Sequence, residues 1–207
     1  MSADDDARRL QAANPEGWFE DLYAEADAGT ASVPWDKPEP QPHLVEWSSG
    51  VDGTGQTALV VGCGYGRDSE YLASLGFDVT AFDISPTAIA AVQARYPDSE
   101  VTYVAADLLA PPAEWHRAFD LVVENMTVQA LPVGLHARAI EQVAWLTGSK
   151  LLVLAVACDE GPVPDGPPWP LTPAEIKAFA VDGLSPANVR RDEVRWTAEF
   201  VREVAMN

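Results

Sequence analysis

Three glycines at alternate positions, Gly62-Cys63-Gly64-Tyr65-Gly66, follow directly on the apolar run TALVV at 57–61. Such a turn lets the chain double back tightly and lets a ligand approach the main chain closely. Two carboxylates close later apolar runs. Asp83 ends DVTAFD (78–83) and Asp107 ends VTYVAAD (101–107). Glu124 and Asn125 end a third run, FDLVVEN (119–125), where polar groups cost energy unless they are paired or wet. A carboxylate at a strand end can accept both hydroxyls of a ribose, and a second can accept the amino group of an adenine. The polar pair at 124–125 is then placed to face a reacting group.

Two ligand classes compete for this pattern. A dinucleotide fold requires G-x-G-x-x-G, its third glycine packing helix on strand. Here Arg67 holds that position and the spacing is G-x-G-x-G. A pyrophosphate also favours nearby positive charge, yet Arg67 is the only local cation, with Asp68 and Glu70 beside it. The alternative is a nucleoside without phosphates. S-adenosylmethionine has that shape, and its ammonium and sulfonium suit an acidic cleft. A nucleotide-dependent oxidoreductase of Rossmann type is the competing reading, as is a non-catalytic S-adenosylmethionine-binding protein. Arg67 counts against the first.

The elements that must hold these residues alternate. Apolar runs at 57–62, 78–83, 101–107, 119–125 and 150–158 read as strands; 68–75, 86–96 and 133–147 read as helices. Ser85-Pro86 is an N-cap followed by proline, and Gly76 and Gly148 read as helix stops. Strands alternating with helices mean βαβ units and a parallel sheet. Thr172 to Glu175 is a capping box opening a short helix to about Ala180. Residues 187–192 and 195–204 read as two strands, the second alternating as an antiparallel strand near the sheet edge does. The expected fold is α/β and Rossmann-like: a mostly parallel seven-stranded sheet, helices on both faces, and an antiparallel C-terminal strand. In an open sheet of this kind ligands bind at the carboxyl ends of the strands.

The whole chain, 1–207, is expected to be a single domain. Residues 1–12 read as a flexible tail in which Asp4-Asp5-Asp6 is solvated. Residues 13–56 read as a helical and proline-rich cover, in which Trp18, Phe19, Leu22 and Tyr23 fall at helical spacing and VPWDKPEPQP (33–42) is stiff and extended. Residues 57–158 form the cofactor-binding core, and 159–207 carry an acidic proline-rich loop, a short helix and the last strands.

Composition removes several function classes. Thirteen Lys and Arg against 32 Asp and Glu give a net charge of −19, which repels nucleic-acid backbones and anionic lipid. No apolar run approaches the roughly 20 residues that span a bilayer. The opening MSADDDARRL has neither the basic nor the apolar region of a signal peptide, so a cytoplasmic protein is expected. Two cysteines make no disulfide framework. Cys63 reads as a small filler in the glycine loop and Cys158 as buried. His43, His116 and His136 lack metal-ligand spacing, so no metal is expected.

The segment VVGCGYGRDSEYLASLGFDVTAFDIS resembles the first two motifs of class I S-adenosylmethionine-dependent methyltransferases. ADLLAP (106–111) is similar to their adenine-contacting segment, and FDLVVENMTVQALP (119–132) to the strand that faces the transferred methyl. VPWDKPEPQPHLVEW resembles the W-D-x-x-x-P-x-P stretch of the thiopurine, thiol and halide methyltransferase branch, which lies over the cofactor. GPPWPLTPAEI (166–176) is similar to a segment of bacterial members of the same group. The resemblance implies S-adenosylmethionine as cofactor. Gly62, Cys63, Gly64 and Gly66 would pass its methionine end, with Arg67 on the carboxylate. Asp83 would hold the ribose with Ile84 beside it. Asp107 and Leu108 would meet the adenine, and Trp35 would cover the bound molecule. Glu124 and Asn125 would sit near the sulfonium and the acceptor. An acceptor hydroxyl would need a base, for which Glu124 and His43 are the candidates. Trp169 is a candidate lid and Gln129 a lesser site residue. The implied activity is methylation of a small molecule, a thiol or a heteroaromatic S, N or O acceptor.

Overall fold

The computed structural model describes residues 2–15, 17–161 and 164–203. Its centre is a seven-stranded sheet in the order β3-β2-β1-β4-β5-β7-β6. The strands are β1 (Thr57–Val61), β2 (Asp78–Asp83), β3 (Thr102–Ala105), β4 (Phe119–Asn125), β5 (Thr147–Val156), β6 (Leu184–Arg191) and β7 (Arg195–Arg202). The first five run parallel, while β7 pairs antiparallel with both β5 and β6. Val204, the expected end of the last strand, lies outside the described residues.

Both faces of the central strands are buried, which is why those strands are continuously apolar. Along β1 the side chains alternate: Leu59 and Val61 join one core, Ala58 and Val60 the other. The helices are α1 (Ala3–Ala13), α2 (Trp18–Asp27), α3 (Pro42–Trp47), α4 (Arg67–Ser74), α5 (Pro86–Arg95), α6 (Val133–Leu146) and α7 (Pro173–Ala178). The first core includes Ile140 and Val143 of α6 and Ile176 of α7. The second includes Leu72 of α4 and Ile89 and Val92 of α5. A third apolar cluster joins α1 and α2 to Val33 and Ala88. No helix among the described residues is long and apolar enough to cross a membrane.

Two local expectations need correction. The acidic lead-in is not a tail. Residues 3–13 form α1, started by a capping box in which Asp5 N–H donates to Ser2 Oγ and Ser2 N–H donates to Asp5. Three aspartates in a first turn suit the positive end of a helix. Ala7 and Leu10 are buried against α2, and Asp6 is buried and accepts from Ser32 N–H at 3.3 Å. The polar count of the segment hid one apolar stripe. Gly148 is likewise no helix stop. Helix α6 passes directly into β5 at Thr147, and Gly148 is needed because a Cβ there would lie 2.7 Å from the carbonyl oxygens of Arg117 and Phe119.

Candidate functional site

The carboxyl ends of β1, β2, β3 and β4 lie side by side in the order β3-β2-β1-β4. The turn after β1 carries Gly62, Gly64 and Gly66 at φ of 62°, 52° and 82°, all left-handed backbone. The close approaches are as telling as the angles. A Cβ on Gly62 would lie 2.4 Å from Thr127 Oγ1, and one on Gly66 2.4 Å from Val92 and 2.5 Å from the Tyr103 hydroxyl. Cys63 packs on the α4-side core, and burial raises its thiol pKa well above the ordinary value, as expected of a filler.

Asp83 ends β2 and is 6% exposed. One carboxylate oxygen accepts from Gly64 N–H at 3.0 Å and the other from Ser85 N–H at 3.0 Å. Desolvation pushes its pKa up, opposed by those backbone bonds. The acid therefore braces the glycine turn while each oxygen keeps a lone pair. Ile84 beside it is 48% exposed, an apolar surface next to a buried acid. Asp107, after β3, is exposed, with Oδ1 accepting from Leu109 N–H at 2.8 Å; Leu108 is buried in the core on the α6 side. This edge therefore presents acceptor oxygens on Asp83 and Asp107 and an exposed apolar side chain on Ile84.

The segment 33–41 lies against this edge. The Trp35 indole N–H donates to the Tyr23 hydroxyl at 2.7 Å, and a Cβ on Gly64 would lie 3.0 Å from that hydroxyl and 3.4 Å from the Trp35 ring. Arg67, expected on the carboxylate of the cofactor, is engaged within the chain. Its guanidinium donates to the carbonyls of Trp35 and Glu39, pinning the cover, and pairs with neither Asp68 nor Glu70. The other sequence-derived cover, Trp169, is buried. It donates its backbone N–H to Gln129 O at 2.7 Å and its indole N–H to Pro164 O at 2.9 Å.

Glu124 and Asn125 are adjacent on β4, so their side chains leave opposite faces and form no pair. Glu124 is fully buried. Its Oε1 accepts from Thr127 N–H at 2.7 Å and Val128 N–H at 2.9 Å, and its Oε2 has no partner. Desolvation raises its pKa to about 7, against the pull of those two bonds. Asn125 turns to α4, donating Nδ2–H to Asp68 Oδ2 at 2.7 Å, and its Oδ1 is buried without a partner. His43 lies in the first turn of α3 and faces Asp192 on the β6–β7 turn at 3.9 Å, so it is not drawn to either residue.

Sequence reasoning missed Tyr23, Asp68 and Thr127 as site residues. Tyr23 was legible only as one position of an apolar helix face. Asp68 read as a neighbour of Arg67, and Thr127 follows Met126, whose positive φ of 61° turns the chain back over Gly62. That turn has no composition signal.

The sheet order and the glycine turn after β1 define a Rossmann-like α/β protein. Residues 58–148 match the family model for a methyltransferase domain. A protein described as probable thiol methyltransferase 2 of Arabidopsis thaliana is 30% identical over 191 residues, covering 87% of this chain and 79% of that one. Two solved structures share the fold. One concerns conversion of a disulfide bond into a thioacetal group during echinomycin biosynthesis, at 20% identity, TM-score 0.71, and coverage of 89% of this chain and 93% of that one. The other is 1,6-didemethyltoxoflavin-N1-methyltransferase of Burkholderia thailandensis, at 17% identity, TM-score 0.68, and coverage of 94% and 90%. The chain belongs to the class I S-adenosylmethionine-dependent methyltransferases. It is a small-molecule methyltransferase with S-adenosylmethionine as methyl donor.

Proposed function

We propose that the acceptor is a small thiol, methylated on sulfur. The observation that carries this reading is that both candidate bases are engaged elsewhere. Glu124 spends Oε1 on two backbone N–H groups and seals Oε2 in the interior, and His43 faces Asp192. Neither of these two groups, as placed among the described residues, is free to take the proton of an acceptor hydroxyl near pH 7. A thiol titrates near pH 8.5, so a few per cent is already thiolate and the proton goes to solvent. The similarity to a thiol methyltransferase of Arabidopsis supports the same choice.

Bound S-adenosylmethionine supplies an electrophilic methyl on a sulfonium. An acceptor thiolate held in line with that methyl would take it directly, leaving the S–C electron pair on the donor sulfur, so the chain need supply no proton transfer. The chain's part is placement. Asp83 and Ile84 would hold the nucleoside, the glycine turn admits the methionine end, and Trp35 with the segment pinned by Arg67 excludes water. Holding reactants in line supplies several orders of magnitude without any proton transfer.

The test is S-adenosylhomocysteine formation with small thiols, hydroxyl compounds and heteroaromatic amines from pH 6.5 to 9. Turnover of thiols with kcat/KM rising as the thiolate fraction rises is expected. Turnover of hydroxyl or heteroaromatic acceptors in preference to thiols would overturn the assignment.

A further inference from the structure

The first two residues of α4 grip the proline-rich cover at three backbone points. Arg67 donates to the carbonyls of Trp35 and Glu39, and Asp68 Oδ1 accepts from Gln41 N–H at 2.8 Å. Asp68 has a second partner, the Asn125 amide at the end of β4. One carboxylate thus joins the cover to the strand next to β1. An ionised carboxylate only accepts, so the amide must turn its nitrogen to Asp68. Its oxygen is then left pointing away, and that oxygen is sealed from solvent without a partner. Buried acceptors are normally satisfied, and Asn125, unlike the fully buried Glu124, stands at a partly exposed strand end, so its orphan oxygen points to a donor that arrives from outside the chain.

The sheet order says which donor. Asp83 and Asp107 follow β2 and β3, on one side of β1, and Asn125 ends β4 on the other. A cofactor with its nucleoside over β2 and β3 extends across the glycine turn and brings its amino-acid end to β4. That end carries an ammonium, which has three donors. Asp68 makes the corner negative, which suits a cation.

We propose that Asp68 is a positioning residue: it fixes the Asn125 amide with Oδ1 presented to the ammonium of S-adenosylmethionine, and ties that presentation to closure of the cover. The inference rests on the nucleoside placement at Asp83 and is independent of the acceptor's identity. Asp68→Asn separates positioning from structure. An amide at 68 can still accept from Gln41 through its oxygen, but its nitrogen then requires an oxygen from residue 125, so the Asn125 amide must invert. In the double variant D68N/N125D the new carboxylate takes that bond with one oxygen and presents the other, restoring the original pattern.

The experiment is calorimetric binding, without acceptor, of S-adenosylhomocysteine and of 5′-methylthioadenosine, which has the nucleoside and sulfur but no amino-acid end. In D68N we expect S-adenosylhomocysteine to weaken by roughly 10- to 100-fold and methylthioadenosine by less than about twofold. D68N/N125D should recover S-adenosylhomocysteine to within about threefold of the parent. Asn125→Ala leaves the Asp68–Gln41 bond in place and should show the same selective loss, so the proposal stands or falls even where D68N does not fold. Equal weakening of both ligands, unchanged binding in D68N and N125A, or no recovery in the double variant would each overturn it. A parent that methylates no thiol but shows this binding pattern refutes only the acceptor assignment.

Discussion

The Trp35 indole N–H donates to the Tyr23 hydroxyl at 2.7 Å, and the two groups together close the space in front of Gly64. The rings meet edge to face at 6.1 Å, and Tyr23 also meets Tyr65 edge to face at 5.2 Å. Helix α2 is held to α5 from the same side, because Glu20 accepts from the hydroxyls of Ser85 and Thr87 at 2.5 Å each. The N-terminal segment is therefore packed on the glycine turn and on the start of α5.

Tyr23→Phe tests that relationship. The ring and its packing remain, but the Trp35 N–H loses its acceptor in a half-buried place. Leaving a buried donor unsatisfied costs about 1–3 kcal/mol. The variant should melt a few degrees lower and bind S-adenosylhomocysteine more weakly, since Trp35 is freed from one of its anchors. Thermal melting with and without ligand checks both. An unchanged melting temperature would mean that the bond contributes nothing.

Helix α1 gives a second expectation. Leu10→Ala removes a side chain 6% exposed from the cluster that joins α1 to α2. Such truncations cost about 2–5 kcal/mol, and each kcal/mol shifts Tm by about 2–4 °C in a chain of this size. A fall of roughly 4–20 °C is expected in calorimetry. A shift under about 1 °C would return the segment to the status of a dispensable tail.

The centre of the sheet was legible because β1, β4 and β5 carry continuous apolar runs buried on both faces. The strand-end acids were legible for the same reason: Asp83 and Asp107 stand where an apolar run stops. What could not be read was partnership. Arg67 offers no sequence sign that its guanidinium turns to Trp35 and Glu39, 32 and 28 residues earlier. Glu124 and Asn125 look like one polar pair in sequence, yet the pleat sends them apart. In α1 the stripe of Ala7 and Leu10 is only two residues wide, too short to rise above three aspartates and two arginines.

Asp83→Ala should weaken S-adenosylhomocysteine binding by roughly 10- to 200-fold, the value of charge-assisted bonds to two hydroxyls. It should also destabilise the free protein, because Gly64 and Ser85 each lose an acceptor. Asp83→Asn can accept through one oxygen only and should fall between the parent and Ala in both measurements. Calorimetric binding and urea unfolding, run on the same samples, separate the two effects. An alanine variant that binds like the parent would remove Asp83 from the nucleoside site.

Glu124 gives a pH dependence with a definite sign. Its carboxyl is raised in the folded chain to about 7 from the ordinary 4.5, chiefly by desolvation. Between those values the folded chain holds a proton that the unfolded chain has released. Stability therefore falls as pH rises through this window, and the loss is complete above about pH 7. Glu124→Gln keeps an oxygen for the Thr127 and Val128 N–H groups but has no proton to lose. The two proteins should be close in stability at pH 4.5, and the variant should become the more stable by on the order of 2–3 kcal/mol at pH 8. Asp83, whose pKa is also raised, contributes to both proteins and cancels in the difference. Urea unfolding of the ligand-free proteins at several pH values between 4.5 and 8 reads the effect directly. Parallel stability curves would show that Glu124 is ionised throughout, with its second oxygen paired after all.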